Sequence, residues 1–494
     1  MDKLLKYNGV QEALKFLCED DERTLKEHLE MCQISAPSYE EGEKAEYVRK
    51  KMVDAGLSDV HIDEVGNVLG TWKGTGNGPR IMVAGHTDTV FPKETDLTLK
   101  KEGERYSCPG IGDDTRAVAE LLSLARALNA TGIHSEGDIV FCANVCEEGL
   151  GDLRGIKHAF KEMSKTTVSQ KTEAMENTEL SEEIESIESV LVSGKTEVMK
   201  SLTLANELKN HYDGFVSIDD KNTSGIIYQA VGSERYLVTF HGTGGHSFTG
   251  FGIPNPIHAM GRAIAKISDF QTPKNPKTTF SVGVVNGGTS VNVIAAECSM
   301  LVDMRSVDAG ELEKLSAKLH QAIEEAVNEE NVRWGYGTLS SESTGVLDDN
   351  NMTAKSSVGD TAGAVPVNAD NGERENSAED DRITVTFEQK GRRPAGTQDK
   401  SCQIVQAANA ANQAIGMETL YIGAASTDAN IPISLGIPAI TVGWGGKGGG
   451  EHTIHEWYEP VESWKGPQRD LLLLLALSGY EGVRNYQLPQ IDEE

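Results

Sequence analysis

The chain has 494 residues, of which 76 are acidic and 46 basic, for a formal net charge of -30. That length exceeds one ordinary core, so two domains with insertions are expected, and the acidic surface repels nucleic acid and anionic membrane and sets both aside as partners. No stretch approaches membrane-spanning length, and the seven cysteines, Cys18, Cys32, Cys108, Cys142, Cys146, Cys298 and Cys402, are odd in number and scattered, as expected for reduced thiols in a cytoplasmic protein.

The opening 30 residues, MDKLLKYNGVQEALKFLCEDDERTLKEHLE, mix charge into every turn and predict an amphipathic helix, without the apolar middle of a secretory signal. Helical spacing follows over 40–55, short strands over 60–65 and 67–71, a buried strand over 80–84, a strong helix over 115–128 and a further strand over 137–145. This alternation predicts an α/β fold, a sheet covered by helices with active groups at strand ends. Residues 166–210 and 337–381 are rich in acidic and small polar side chains and poor in core formers, apart from a possible helix over 182–192. Both read as acidic surface insertions or mobile loops.

Between them and beyond, strand 235–240, helix 257–267, strands 280–285 and 297–303, helix 309–327 and strand 383–388 describe a small α+β sandwich with its helices on one face. Helix 403–416, strand 439–443 and helix 468–478 then return to the first pattern. The expected organisation is a catalytic domain made of residues 1–230 and 393–494, interrupted by a second domain over 231–392.

Within this frame, GHTDTVFP ends the apolar run 81–84 and sets His86 and Asp88 on one face of an extended chain. Asp88 is thereby placed to brace one ring nitrogen of His86 and leave the other for a metal. PGIGDDTR presents Asp113 and Asp114 before a helix, a pair that helix capping would also explain. CANVCEEGLGD puts Glu147 and Glu148 at a strand end, where one carboxylate can coordinate a metal and its neighbour can face substrate as a base. Cys142 and Cys146 in the same stretch lack a second cysteine pair and read as packing thiols. Asp219 closes the run GFVSIDD, and the glycine-rich loop GGKGGGEHTIHEW presents His452 and His455. Two histidines, a shared aspartate and two further carboxylates suit two neighbouring divalent ions, zinc above all, with cobalt or manganese as substitutes.

The ordered set GHTDTVFP, GIGDDTR, EEGLGDLRG, SIDD, GTGGHSFTGFG, GGTSVNVIA, STDANIP and EHTIHEW resembles the dizinc aminoacylase and carboxypeptidase family. The resemblance implies a zinc-peptidase-like catalytic domain with an inserted lid that commonly mediates dimerisation. It implies Asp113 bridging two ions, His86 and Asp219 completing one site and Glu148 and His452 the other. Asp88 then serves as the brace, Glu147 as general base and His246 as the group that stabilises the oxyanion, while Asn292 and Arg305 resemble substrate-side polar groups. The family pattern places the last ligand four residues before a glutamate and an aromatic or apolar residue; His452 with Glu456 and Trp457 fits this, and His455 with Glu459 and Pro460 fits less well. The expected activity is zinc-dependent exopeptidase cleavage of short peptides by a homodimer, with removal of the acyl group from N-acyl amino acids as the alternative.

Overall fold

The computed structural model describes residues 1–76, 78–160, 212–336 and 381–482. Helix 182–192, the 166–210 insertion and all of the 337–381 insertion but Asp381 lie outside the described residues. The chain divides into two compact units, Met1–Ala230 with Gly396–Glu494, and Val231–Ala395.

The first unit is built on a mixed sheet whose strand order is Ser58–Ile62, Val68–Trp72, Ile139–Asn144, Ile81–His86, Gly214–Ile218, Ala439–Val442, Gly225–Ala230 and Gly396–Thr397, with Leu420–Ala425 also pairing with Gly225–Ala230. Its centre is parallel: Ile139–Asn144, Ile81–His86, Gly214–Ile218 and Ala439–Val442 run in one direction. Strands of this kind are covered on both faces and read as continuous apolar runs. Along Ile81–His86 the pleat sends Ile81 and Val83 into one core, shared with helices Thr115–Thr131 and Lys465–Ser478, and Met82 and Ala84 into another, shared with Ile156, Phe160 and Phe215. The opening segment forms two helices, Asn8–Glu19 and Asp21–Met31, broken at Asp20. The carboxylate of Asp20 accepts from Thr24, Ser123 and Arg126, so this helix break is fastened to the central helix by a buried ionic group.

The second unit is a four-stranded antiparallel sheet in the order Thr278–Gly287, Glu297–Ser306, Gly232–His241 and Thr384–Arg393. Strand Glu297–Ser306 alternates in burial, and its inward side chains Cys298, Met300, Val302 and Met304 share one core with helices Pro256–Ser268 and Ala309–Arg333. Asn255 and Asp308 start those helices by accepting the N–H of Ile257 and Glu311, which satisfies donors otherwise orphaned in the first turn. Cys142 lies inside strand Ile139–Asn144, whereas Cys146 falls in the turn beyond it with a left-handed backbone, φ 56°. Among the described residues no helix is long and apolar enough to cross a membrane.

Candidate metal centre

Every group of the candidate centre in the first unit leaves the same end of the parallel sheet or a loop that follows it. His86 is the last residue of its strand, Glu147 and Glu148 follow Asn144 by a short turn, and Asp219 follows Ile218 directly. His452 lies in the loop after Ala439–Val442, between two short strands, Lys447–Gly449 and Trp457–Glu459. The carboxyl ends of parallel strands are where an α/β sheet opens a crevice, because the connecting chains diverge there. Asp113 and Asp114 arrive from the turn ahead of helix Thr115–Thr131.

Three groups of possible ligand atoms converge within 4.8 Å: His86 with Asp113 and Asp219, Asp113 with Glu148 and His452, and His86 with Glu147 and Glu148. Asp113 is common to the first two. Its Oδ1 lies 3.0 Å from His86 Nε2, and its Oδ2 lies 3.0 Å from His452 Nε2. Asp219 Oδ1 is 3.9 Å from His86 Nε2, and Glu148 Oε1 is 3.0 Å from His452 Nε2. His455 is exposed and joins none of these groups.

The bracing of His86 differs in detail from a simple carboxylate clasp. Its Nδ1 donates to the backbone carbonyl of Asp88 at 2.9 Å, while the Asp88 carboxylate stands 3.5 Å away. That carboxylate accepts the N–H groups of Glu147 and Glu148 at 2.9 and 3.0 Å and the hydroxyl of Ser38 at 2.6 Å. Asp88 therefore sets the orientation of His86 with its main chain and the placement of both glutamates with its side chain. Asp114 stands at the N-cap position, but its side chain makes no capping bond among the described residues; its Oδ2 accepts the backbone N–H of His86 at 3.0 Å and ties the helix start to the strand end.

Charge crowds this centre. Burial disfavours an ionised Asp219, and although His86 opposes this, the neighbouring charges of Asp113 and Glu147 push its pKa further up. Asp114 is likewise raised by burial and by Asp219 and Asp113. Burial works against a charged His86, yet its hydrogen bonds to Asp113 and Asp88 hold its pKa well above the usual value. Hydrogen bonds to Asp113 and Glu148 lift His452 to about 11. The donor set, imidazole nitrogen with carboxylate oxygen and a carboxylate common to two groups, fits a pair of divalent cations.

The turn bearing Asp113 rests on a buried histidine, His28, that no motif marks. His28 Nε2 donates to the carbonyl of Ile111 at 2.5 Å, and its other ring nitrogen, Nδ1, has no hydrogen-bond partner among the described residues. Burial, and then the nearby Arg116 charge, depress its pKa to about 3. Because the folded value lies below the unfolded value of about 6.5, the stability it contributes is complete above pH 6.5 and is lost as pH falls toward 3. Between pH 7 and pH 5 the loss amounts to about 2 kcal/mol. Urea unfolding of the metal-free protein at both pH values should show that extra loss in the wild type but not in His28→Gln; equal losses would contradict it.

In the second unit, His246 and Asn292 come together on a short ladder. His246 pairs with Val293, and the N–H of Ser247 donates to the carbonyl of Asn292 at 3.0 Å. The Nδ1 of His246 accepts the N–H of Phe248 at 3.2 Å, which leaves its Nε2 as the protonated, outward donor. Arg305 sits apart from them in strand Glu297–Ser306, its Nε 2.8 Å from Asp303.

A mixed α/β unit with histidines and carboxylates at its parallel strand ends, interrupted by an α+β unit, is the class of architecture that the sequence resemblance implies. Consistent with that class, residues 67–226 match the model of peptidase family M28, and residues 228–331 match that of the peptidase dimerisation domain. These matches bear out the resemblance read from the sequence. A Pyrococcus abyssi protein named as a LysW-lysine/LysW-ornithine hydrolase is 32% identical over 120 residues, 24% of this chain and 32% of that protein. A succinyl-diaminopimelate desuccinylase of Nitrosospira multiformis is 31% identical over 108 residues, 21% of this chain and 29% of that protein. The matched stretch thus spans about a third of the length of these curated relatives. The fold is that of the aminopeptidase PepT from Bacillus cereus, with a TM-score of 0.61 at 18% identity over 93% of this chain and 99% of that one.

Proposed function

We propose that the protein is a zinc-dependent hydrolase of amide bonds that acts as an exopeptidase on short peptides. The observation that carries this reading is Asp113, whose two carboxylate oxygens each face a different histidine, His86 and His452. In this reading His86, Asp113 and Asp219 hold one ion, and Asp113, Glu148 and His452 hold the other. The pair of ions, when bound, supplies an acidified water and a Lewis acid for the scissile carbonyl.

The remaining steps belong to side chains. Glu147, nearly buried and held at its N–H by Asp88, takes the proton of the attacking water and returns it to the leaving amine. His246 offers its Nε2 proton to the developing oxyanion, a contribution of about 3 kcal/mol for one fixed donor. Asn292 and Arg305 supply polar contacts to the substrate. The match to a peptidase dimerisation domain supports a homodimer formed through the second unit, and a cytoplasmic location agrees with seven free thiols.

Removal of an acyl group from N-acyl amino acids is the second reading, supported by the 31% identity with the desuccinylase over 108 residues. Both readings use the same catalytic groups and differ only in substrate. Dialysis against a chelator should abolish hydrolysis, and zinc, cobalt or manganese should restore it. A panel of dipeptides, tripeptides and N-acyl amino acids then separates the readings. Two bound ions with no cleavage of any panel member would refute both.

A further inference from the structure

The glycine-rich turn that presents Asp113 is buried, and most of its backbone polar groups are held by hydrogen bonds. The N–H groups of Gly110, Gly112 and Asp113 all donate to one side chain, the carboxylate of Glu456, at 2.8, 2.7 and 2.8 Å. On the acceptor side, Thr115 Oγ1 donates to the carbonyl of Gly110 at 2.7 Å and His28 to that of Ile111. Glu456 is 1% exposed and lies in the loop that carries His452. That loop closes on itself through the N–H of Glu456, which donates to Thr453.

The glycines are what let this carboxylate reach the turn. Gly110 has φ +76°, and a Cβ there would stand 2.6 Å from Thr89, while a Cβ on Gly112 would stand 3.0 Å from Glu456 itself and 3.2 Å from Trp444. A side chain at Gly112 would press on the carboxylate, and one at Gly110 would be strained at its positive φ and run into Thr89.

We infer that Glu456 is a positioning residue that fixes the Asp113 turn and the His452 loop to each other, and so sets the spacing of the shared carboxylate and the last histidine. One carboxylate accepting three N–H bonds is a multidentate clamp. It acts on the first ligand group through Asp113 and on the second through both Asp113 and His452. The spacing of His452 and Glu456 follows from this: four residues give the chain room to put the histidine on the cations and the glutamate behind the turn that carries their common ligand.

This inference rests on the metal-centre reading above, and calorimetric titration of the metal-free, full-length protein with zinc alone keeps the two apart. Glu456→Ala is expected to bind zinc about 10- to 100-fold more weakly, as for loss of an outer partner that orients a ligand. Glu456→Gln, which keeps one acceptor oxygen but turns an amide NH₂ toward the turn, is expected to fall between Ala and the wild type and serves as the readout if the alanine variant does not fold. Leu472→Ala, a cavity in the core helix Lys465–Ser478, lowers the unfolding temperature but should leave zinc affinity unchanged. Glutamine and alanine variants with wild-type affinity, or a Leu472→Ala protein weakened as much as they are, would overturn the positioning role while leaving the metal centre standing. A wild-type protein that takes up no zinc would overturn both.

Discussion

Replacing Glu147 with glutamine is expected to give a protein that still takes up two divalent cations but turns over its substrate about 10²- to 10⁴-fold more slowly, the range for loss of a positioned general base. Glutamine has the shape of glutamate, so the turn after strand Ile139–Asn144 and the backbone bond from residue 147 to Asp88 are retained. What is lost is a carboxylate whose ligand-type atom lies within 4.8 Å of those of His86 and Glu148, close enough to reach a water shared with the metal groups. Steady-state kinetics on the best panel substrate, with metal content measured on the same sample, provide the check. A Glu147→Gln enzyme with wild-type kcat would remove Glu147 from the chemistry.

Asp113→Ala has the other large effect, and it differs in kind. Among the described residues Asp113 is the carboxylate with one oxygen 3.0 Å from each histidine, so its removal damages both ligand groups at once. Zinc affinity should fall by more than the 10- to 100-fold typical of losing an outer partner, and bound metal should drop below two ions per chain with hydrolysis lost in parallel. Asp219→Ala, which enters only the His86 group, should spare the group made by Asp113, Glu148 and His452. Metal content and zinc titration of the two variants side by side separate a shared ligand from a private one. Two ions bound to Asp113→Ala at wild-type affinity would show that the carboxylate bridges nothing.

Much of the fold is legible along the chain, for a reason that can be given strand by strand. Ile81–His86, Ile139–Asn144, Gly214–Ile218 and Ala439–Val442 are buried along their length and stand out as short apolar runs. Strand Glu297–Ser306 is half-buried and shows the period of two. By contrast, Gly225–Ala230 and Leu420–Ala425, GIIYQA and LYIGAA, interrupt short apolar stretches with tyrosine, glutamine or small residues and stand out by neither signal. The small sheet that joins Lys100–Glu102 and Arg105–Ser107 to the flanks of the His452 loop consists of three-residue strands, too short for any periodicity to register.

At the candidate centre the same division holds. His86, Asp113, Glu147, Glu148, Asp219 and His452 were each visible because a carboxylate or histidine at the end of an apolar run or in a glycine-rich turn is conspicuous. Ser38, His28 and Glu456 were not, since their work is to meet backbone or side-chain groups 50, 83 and more than 340 residues away. A sequence carries no measure of such distances. For Glu456 a signal was present in its fixed spacing from His452, but without the turn it holds, that spacing had no physical content.

What the chain determines by itself, then, is which groups are available and at which strand ends they stand, because apolar runs, glycine turns and charged residues are local properties of composition. Only the tertiary structure decided that Ile81–His86 lies between Ile139–Asn144 and Gly214–Ile218, that the carbonyl of Asp88 accepts from His86 Nδ1 at 2.9 Å while its carboxylate stands at 3.5 Å, and that Asp113 faces two histidines. Those facts depend on strand order and on which loops are brought within hydrogen-bond reach, and both are fixed by burial of the whole sheet rather than by any one segment.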